Sequence, residues 1–219
     1  MAAARRIGRP RGATLNQAQV VAAARQLASG GLGTLTMARV AAVLGVTPMA
    51  VYRHVKDKDE LLALVLDAVF AEVVVPPGDL PWELRLRTLH TRVVAALTTY
   101  PGTADQFLDQ RVSSPNAVRL LDAYLSILVD AGLDERDAVS AYTALYYLAG
   151  GQVVDHAGSR LSTPAGEAPP DTDRYPLLRK LQPVAASLDR GELHAFALDT
   201  VIAGIRARLT AVAAPMRTS

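Results

Sequence analysis

The segment TMARVAAVLGVTPMAVYRHV, residues 36–55, has the pattern of two short helices joined by a tight turn. Thr36 is a good N-cap, and Gly45 suits a helix C-terminus because glycine readily adopts a left-handed backbone conformation. Thr47 and Pro48 predict the start of the second helix, since proline at the first helical position loses no hydrogen bond. The apolar face of the first helix would consist of Val40, Val43 and Leu44. This pattern predicts a helix-turn-helix, although a helical hairpin inside an all-α core would show similar spacing.

The charge distribution favours the helix-turn-helix. Residues 1–60 carry a net charge of +6, whereas residues 61–219 carry −4, so the total of +2 hides an asymmetry. A basic N-terminal module beside a mildly acidic remainder predicts a polyanionic partner, such as DNA, for the first module only.

Residues 1–13 lack an apolar period and predict a basic flexible arm. Within it, Gly8-Arg9-Pro10 is flanked by arginines and resembles an AT-hook, in which an extended backbone carries arginine into the minor groove. The alternative is a solvated tail that adds only nonspecific attraction to DNA.

Helical periodicity continues through the rest of the chain, and no strand pattern interrupts it. A long helix from about Asp59 to Val75 would connect the N-terminal module to the remainder, and Pro76-Pro77-Gly78 would end it. We therefore predict an all-α fold with the arm, a helix-turn-helix DNA-binding domain over residues 14–60, and a helical domain over residues 61–219.

Composition and motifs disfavour several other classes. With 0 cysteines the chain has neither a disulfide framework nor a thiolate metal site, which fits a reducing cytoplasm. We find no secretory signal, membrane-spanning segment, Gly-x-Ser-x-Gly motif or glycine-rich phosphate loop. The 4 histidines lie far apart in sequence. We expect a cytoplasmic protein that is not an enzyme and needs no metal or cofactor.

The sequence LTMARVAAVLGVTPMAVYRHVKDKDELL, residues 35–62, resembles the tetracycline repressor (TetR) family. A weaker similarity to the last helix of tetracycline-resistance repressors covers FALDTVIAGIRARL, residues 196–209. The resemblance implies an all-helical homodimer that represses transcription and releases a palindromic operator when a small molecule fills the C-terminal domain. Residues 61–219 would then form a helical ligand-binding and dimerisation domain. An activator, or an architectural DNA-binding protein without an inducer, remains the alternative.

The resemblance and the chemistry of the side chains together indicate which residues contact DNA. Threonines at helix N-termini bring hydroxyl and backbone N–H groups to phosphates, while methionine can contact a thymine methyl group and arginine a guanine. Tyr52 and His54 could instead be mainly structural, as a core residue and a helix-end brace. The predicted DNA-contacting residues are Arg9, Thr36, Arg39, Thr47, Pro48, Met49, Tyr52, His54 and Lys58.

The effector site departs from the tetracycline repressors. Positions where they carry polar, metal-binding or drug-contacting residues correspond here to Val74, Leu89, Val93 and Phe107. We therefore expect an apolar or aromatic effector without a metal, oriented by groups such as His90, Gln110 and Gln152, although each pocket residue could be ordinary core. The predicted pocket residues are Leu86, Leu89, His90, Val93, Phe107, Tyr124, Tyr142, Tyr146 and Val153.

Small residues in two C-terminal helices indicate where two protomers would meet. Small side chains allow helices to approach closely, and two such helices from each protomer would form a four-helix bundle. Packing within one protomer is the alternative. The predicted interface residues are Ala144, Gly151, Ala197, Gly204 and Ala207.

Overall fold

The computed structural model describes residues 15–100, 114–156 and 174–213, and within these ranges the chain is all-α. A 3-10 turn at Leu32–Thr34 lies between the first two helices. The helices are α1 (Gln17–Ala28), α2 (Met37–Leu44), α3 (Pro48–Tyr52), α4 (Lys58–Ala71), α5 (Trp82–Thr98), α6 (Pro115–Asp130), α7 (Glu135–His156), α8 (Pro176–Ser187) and α9 (Arg190–Ala213). The predicted all-α class is confirmed.

The helix-turn-helix has the predicted end signals. The Thr36 hydroxyl accepts a hydrogen bond from the Arg39 backbone N–H at 3.2 Å, which caps α2. Gly45 follows α2 with a φ of 65°, the left-handed conformation that a larger residue would adopt at a cost. Thr47 precedes α3 as its N-cap residue, with Pro48 at the first turn. One expectation was wrong, because Val43 is 45% exposed and Met37 and Ala41 fill the inner face of α2 instead.

The described residues form two hydrophobic cores. The first joins α1, the 3-10 turn, α2 and α3 to the start of α4, through Leu61, Leu62 and Val65. The second joins the end of α4, through Leu66 and Phe70, to α5, α6, α7 and α9. We call the first group the N-terminal unit and the second the body. Helix α4 therefore contributes to both cores and connects them.

Helix α4 is shorter than the sequence predicted. It ends at Ala71, with Glu72 as its C-cap residue, although the expected helix continued to Val75. The Arg119 guanidinium of α6 donates hydrogen bonds to the carbonyls of Phe70 and Val73, at 2.8 and 3.1 Å. These bonds satisfy carbonyl groups that further turns of helix would otherwise have used.

Helix α7 lies at the centre of the body, where it packs against α5, α6 and α9. By contrast, every residue of α8 is exposed, although Leu177, Leu181 and Val184 give this helix a row of apolar side chains. In the described ranges no helix is long and apolar enough to cross a membrane.

Candidate functional site

The outer surface of the helix-turn-helix combines polar and apolar side chains that are open to solvent. Met49 is 68% exposed and Tyr52 47% exposed, whereas Val51 between them is completely buried in the core of the N-terminal unit. Thr36, Thr47 and Pro48 are exposed at the helix starts. Buried Val51 thus orients α3 so that its other side faces outward.

The remaining predicted DNA-contacting residues flank this surface. Arg39 is exposed, and its guanidinium donates to the Thr34 carbonyl at 2.8 Å. Lys58 is exposed at the start of α4, and His54 is half-buried after α3. The His54 carbonyl accepts a hydrogen bond from the Gln17 side chain at 3.1 Å, which ties the end of α3 to α1. Arg9 lies outside the described residues.

One arginine links the N-terminal unit to the body. Arg25 of α1 forms an ion pair with Glu72 at the end of α4. The same guanidinium donates to the Tyr100 hydroxyl at 3.0 Å and lies 5.8 Å from the centre of the Tyr100 ring. These contacts were not predicted from sequence, because Glu72 and Tyr100 lie 47 and 75 positions from Arg25 and no local pattern connects them.

The body contains an apolar pocket between α4, α5, α6 and α7. Its empty volume is about 420 Å³ including the open mouth. Tyr142 lies between two other aromatic rings, with ring centres 5.8 Å from Tyr124 and 6.4 Å from Tyr146. Burial is the main cause that raises the pKa of each of these three tyrosines, so their phenols stay protonated at neutral pH. The wall consists of Phe70, Val93, Ala117, Leu120, Leu121, Tyr124, Tyr142, Leu145, Tyr146 and Ala149.

Four of the predicted pocket residues lie in this wall, namely Val93, Tyr124, Tyr142 and Tyr146. Leu86, Leu89, His90 and Val153 are instead buried in the surrounding structure, at 3% exposure or less. Phe107 and Gln110 lie outside the described residues. The wall also contains Phe70, Ala117 and Ala149, which were not predicted from sequence. Helical periodicity indicates a buried face but does not distinguish close packing from a cavity.

A buried polar pair lies about one helical turn from two residues of the pocket wall, Val93 and Ala149. The imidazole Nε2 of His90 and the Oε1 of Gln152 are 3.0 Å apart, and they join α5 to α7. The Gln152 amide also donates to the His194 carbonyl of α9 at 3.3 Å. Burial lowers the pKa of His90, and the hydrogen bond to Gln152 offsets this only in part. His90 is therefore neutral at physiological pH.

The predicted interface residues lie on α7 and α9. Ala144, Gly204 and Ala207 are exposed, while Gly151 and Ala197 are half-buried. A Cβ atom added at Gly204 would meet no heavy atom within 4 Å. Large exposed apolar side chains lie on the same two helices, including Val139, Tyr147 and Phe196.

A helix-turn-helix unit joined by α4 to a body with an apolar pocket is typical of DNA-binding transcriptional regulators. The family model for bacterial regulatory proteins of the tetR family matches residues 20–65, and that for the tetracyclin repressor-like C-terminal domain matches residues 76–209. The chain belongs to the TetR family of transcriptional regulators, which are not enzymes.

Relatives and solved structures agree with this assignment. The transcriptional repressor DrrR1 of Streptomyces coeruleorubidus is 34% identical over 151 residues, covering 68% of this chain and 54% of that repressor. The class D tetracycline repressor of Escherichia coli is 27% identical over 208 residues, covering 91% of this chain and 93% of that protein. Apo ActR of Streptomyces coelicolor superposes with a TM-score of 0.80 at 25% identity, covering 91% of this chain and 99% of ActR. ActR in complex with actinorhodin gives a TM-score of 0.75 at 26% identity, covering 89% and 97%.

Proposed function

We propose that this protein is a repressor that binds a palindromic operator as a homodimer and leaves it when a mostly apolar, aromatic molecule enters the body. The observation that carries the proposal is the connection of an exposed helix-turn-helix to a tyrosine-lined pocket through helix α4, which contributes to both cores.

The geometry of the N-terminal unit supports binding in the major groove. Thr36 and Thr47 lie at helix starts, where backbone N–H groups favour phosphates. Met49 and Tyr52 lie on the outward side of α3, where they can reach base edges and the backbone. Arg39, Pro48, His54 and Lys58 would complete the contact surface, with Arg9 of the arm in the adjacent minor groove.

The apolar faces of α7 and α9 support a homodimer. Exposed Val139, Tyr147 and Phe196 would be buried in a two-fold contact, with the small residues Ala144 and Gly204 allowing close helix approach. A two-fold dimer would present two copies of α3 to half-sites about 34–36 Å apart.

This dimer assignment can be tested with one substitution and a control. Because open space surrounds Gly204 within the protomer, Gly204→Leu should leave the protomer folded and shift the protein toward monomer in light scattering. Ala195→Leu, at an exposed position on the opposite side of α9 from Gly204, is the matched control. An unchanged dimer in Gly204→Leu would contradict the assignment.

The pocket supports an aromatic effector. Its wall is formed by apolar side chains and three tyrosines, and one structure of the similar protein ActR is a complex with actinorhodin. Because the 420 Å³ of empty volume includes the open mouth, a polycyclic ligand would have to push the helices of the wall apart to be enclosed. Such a ligand binds an opened body better than the closed one, and this difference in affinity is what shifts the protein's conformation.

A pair of contacts between α4 and α6 would carry the shift to the N-terminal unit. The Asp67 carboxylate accepts hydrogen bonds from the backbone and side chain of Asn116, at 2.8 and 2.9 Å. One turn further, Arg119 holds the carbonyls of Phe70 and Val73. We call these contacts the α4–α6 clasp. Because Phe70 of α4 and Ala117 of α6 also line the pocket, opening the pocket would pull directly on α4.

Two measurements test the proposed function. Selection from random duplex DNA should return an inverted repeat, and recovery of sequences without one would contradict operator binding by a dimer. A panel of polycyclic aromatic compounds, including actinorhodin, should raise the melting temperature and release the selected DNA. Tight binding and release by magnesium–tetracycline would instead contradict the effector class, because the polar groups that this ligand needs correspond here to apolar residues.

A further inference from the structure

We propose that His90 is the hydrogen-bond acceptor that recognises a hydroxyl group on the effector, at the end of the pocket between α5 and α7. The inference rests on the proposed aromatic effector and adds one chemical requirement to it. The ligand should be a phenol or a similar hydroxyl-bearing ring system rather than a plain hydrocarbon or an ether.

The hydrogen bonds around Gln152 determine the tautomer of His90. A backbone carbonyl only accepts, so the Gln152 nitrogen that donates to the His194 carbonyl must be the amide NH₂. The Oε1 atom therefore faces His90, and the imidazole Nε2 that lies 3.0 Å away must carry the proton. In a neutral imidazole, this leaves Nδ1 as a bare acceptor.

The Nδ1 atom of His90 is an acceptor that the folded chain does not use. It is buried and has no hydrogen-bond partner among the residues that the structure describes. His90 itself is only 1% exposed, so bulk water does not reach it. Buried polar atoms are nearly always paired in folded proteins, and an unpaired one therefore points to a partner that arrives later.

The position of His90 about one helical turn from the pocket wall is the reason we assign this partner to a ligand group. Val93 of α5 and Ala149 of α7 line the pocket. His90 lies three residues before Val93, and Gln152 three residues after Ala149, so both lie one turn further along the same helix faces. The His90–Gln152 pair thus borders the pocket at one end, where helices spread by a ligand would uncover Nδ1.

The contacts beyond Gln152 keep this arrangement in place. His194 of α9 has its Nε2 3.2 Å from the Asp155 carboxylate, and Arg190 lies 3.7 Å from the same oxygen. Both residues hold the start of α9 against α7, which keeps the His194 carbonyl available to the Gln152 amide. The acceptor on His90 is therefore positioned before any ligand binds.

Three anthraquinone probes test the inference by calorimetry on the full-length protein. We expect 2-hydroxyanthraquinone to bind the unmodified protein at least tenfold more tightly than 2-methoxyanthraquinone or anthraquinone. In His90→Phe the three probes should bind with about equal affinity, and anthraquinone should still bind. His156→Phe, at an exposed position of α7, is the matched control and should keep the preference.

A measurement on the unmodified protein covers the case in which His90→Phe fails to fold. Nitrogen-15 spectra of the imidazole should show a protonated Nε2 and a bare Nδ1, and only the hydroxyl probe should shift the Nδ1 resonance. Equal binding of all three probes, or a protonated Nδ1, would overturn the inference and leave the aromatic effector standing. Failure of all three to bind would overturn both.

Discussion

The N-terminal unit and the body differ in how far apart in sequence their functional residues lie. Apart from Arg9, the proposed DNA-contacting residues fall within residues 36–58, on two short helices and the start of a third. The pocket wall takes residues from Phe70 to Ala149, on four helices. A site built from neighbouring residues is visible in local sequence patterns, whereas a site built from four helices depends on how those helices pack.

The largest effects should come from opening either core. Leu61 in the N-terminal unit and Ile127 in the body are both completely buried. Replacing either one by alanine should lower the free energy of unfolding by about 2–5 kcal/mol, because a cavity is left behind. If the two regions are packed separately, hydrogen exchange should speed up in α1–α3 for Leu61→Ala and in α5–α7 for Ile127→Ala. Faster hydrogen exchange in all of these helices in both variants would show that the N-terminal unit and the body unfold as one cooperative unit.

Breaking the α4–α6 clasp tests whether the two regions communicate through α4. Arg119→Met leaves the partly buried carbonyls of Phe70 and Val73 without this donor, which should cost about 1–3 kcal/mol of stability. The affinity for DNA without effector should change little. The effector should still bind the protein, but it should release less DNA. Arg92→Met is the matched control, since Arg92 donates to the Val74 carbonyl at an exposed site. Full effector response in Arg119→Met would exclude the clasp as the connection.

Removing one positive charge from the N-terminal unit should have a smaller effect, which falls on DNA affinity. Lys58→Ala should weaken binding to all DNA sequences several-fold and reduce the slope of log affinity against log salt by about one unit, since one phosphate contact is lost. Lys180→Ala removes an exposed charge from α8 in the body and should change neither quantity. Equal effects of the two substitutions would show that the body also contacts DNA.

The smallest expected effect is on the pH dependence of stability, to which buried His90 of the body contributes. Burial lowers the pKa of His90 from 6.5, so between that value and the folded pKa the unfolded chain binds more protons. Stability should therefore fall as the pH decreases through this window, with a slope of at most about 1.4 kcal/mol per pH unit. Urea unfolding at several pH values should show this slope in the unmodified protein and in His156→Phe. An undiminished slope in His90→Phe would assign it to other groups.

The difference in sequence separation between the two sites also explains how much of each could be predicted from sequence. The caps at Thr36 and Gly45 and the exposed face around Tyr52 depend on neighbouring residues, so local patterns located them. The early end of α4 could not be predicted in this way, because the carbonyls there are satisfied by Arg119 from a distant part of the chain.

The pocket was predictable only in part. Helical periodicity placed Val93 and Tyr142 on buried faces, and both line the pocket. Leu86 and Leu89 show the same periodicity but are packed within the core, since nothing in the sequence indicates where the helices separate. The orientation of the His90–Gln152 pair likewise depends on the His194 carbonyl, which follows no local signal.

The central claim is that an aromatic molecule in the body changes the separation of the two DNA-binding surfaces through α4. The chain has 0 cysteines, so Ala42→Cys, at an exposed position of α2 outside the proposed DNA contacts, provides a single labelling site in the N-terminal unit of each protomer. Pulsed electron spin resonance on the labelled homodimer should give a distance compatible with half-sites about 34–36 Å apart. Addition of an effector that releases DNA should shift that distance by several ångströms. Release of DNA with no change in the distance would contradict the account.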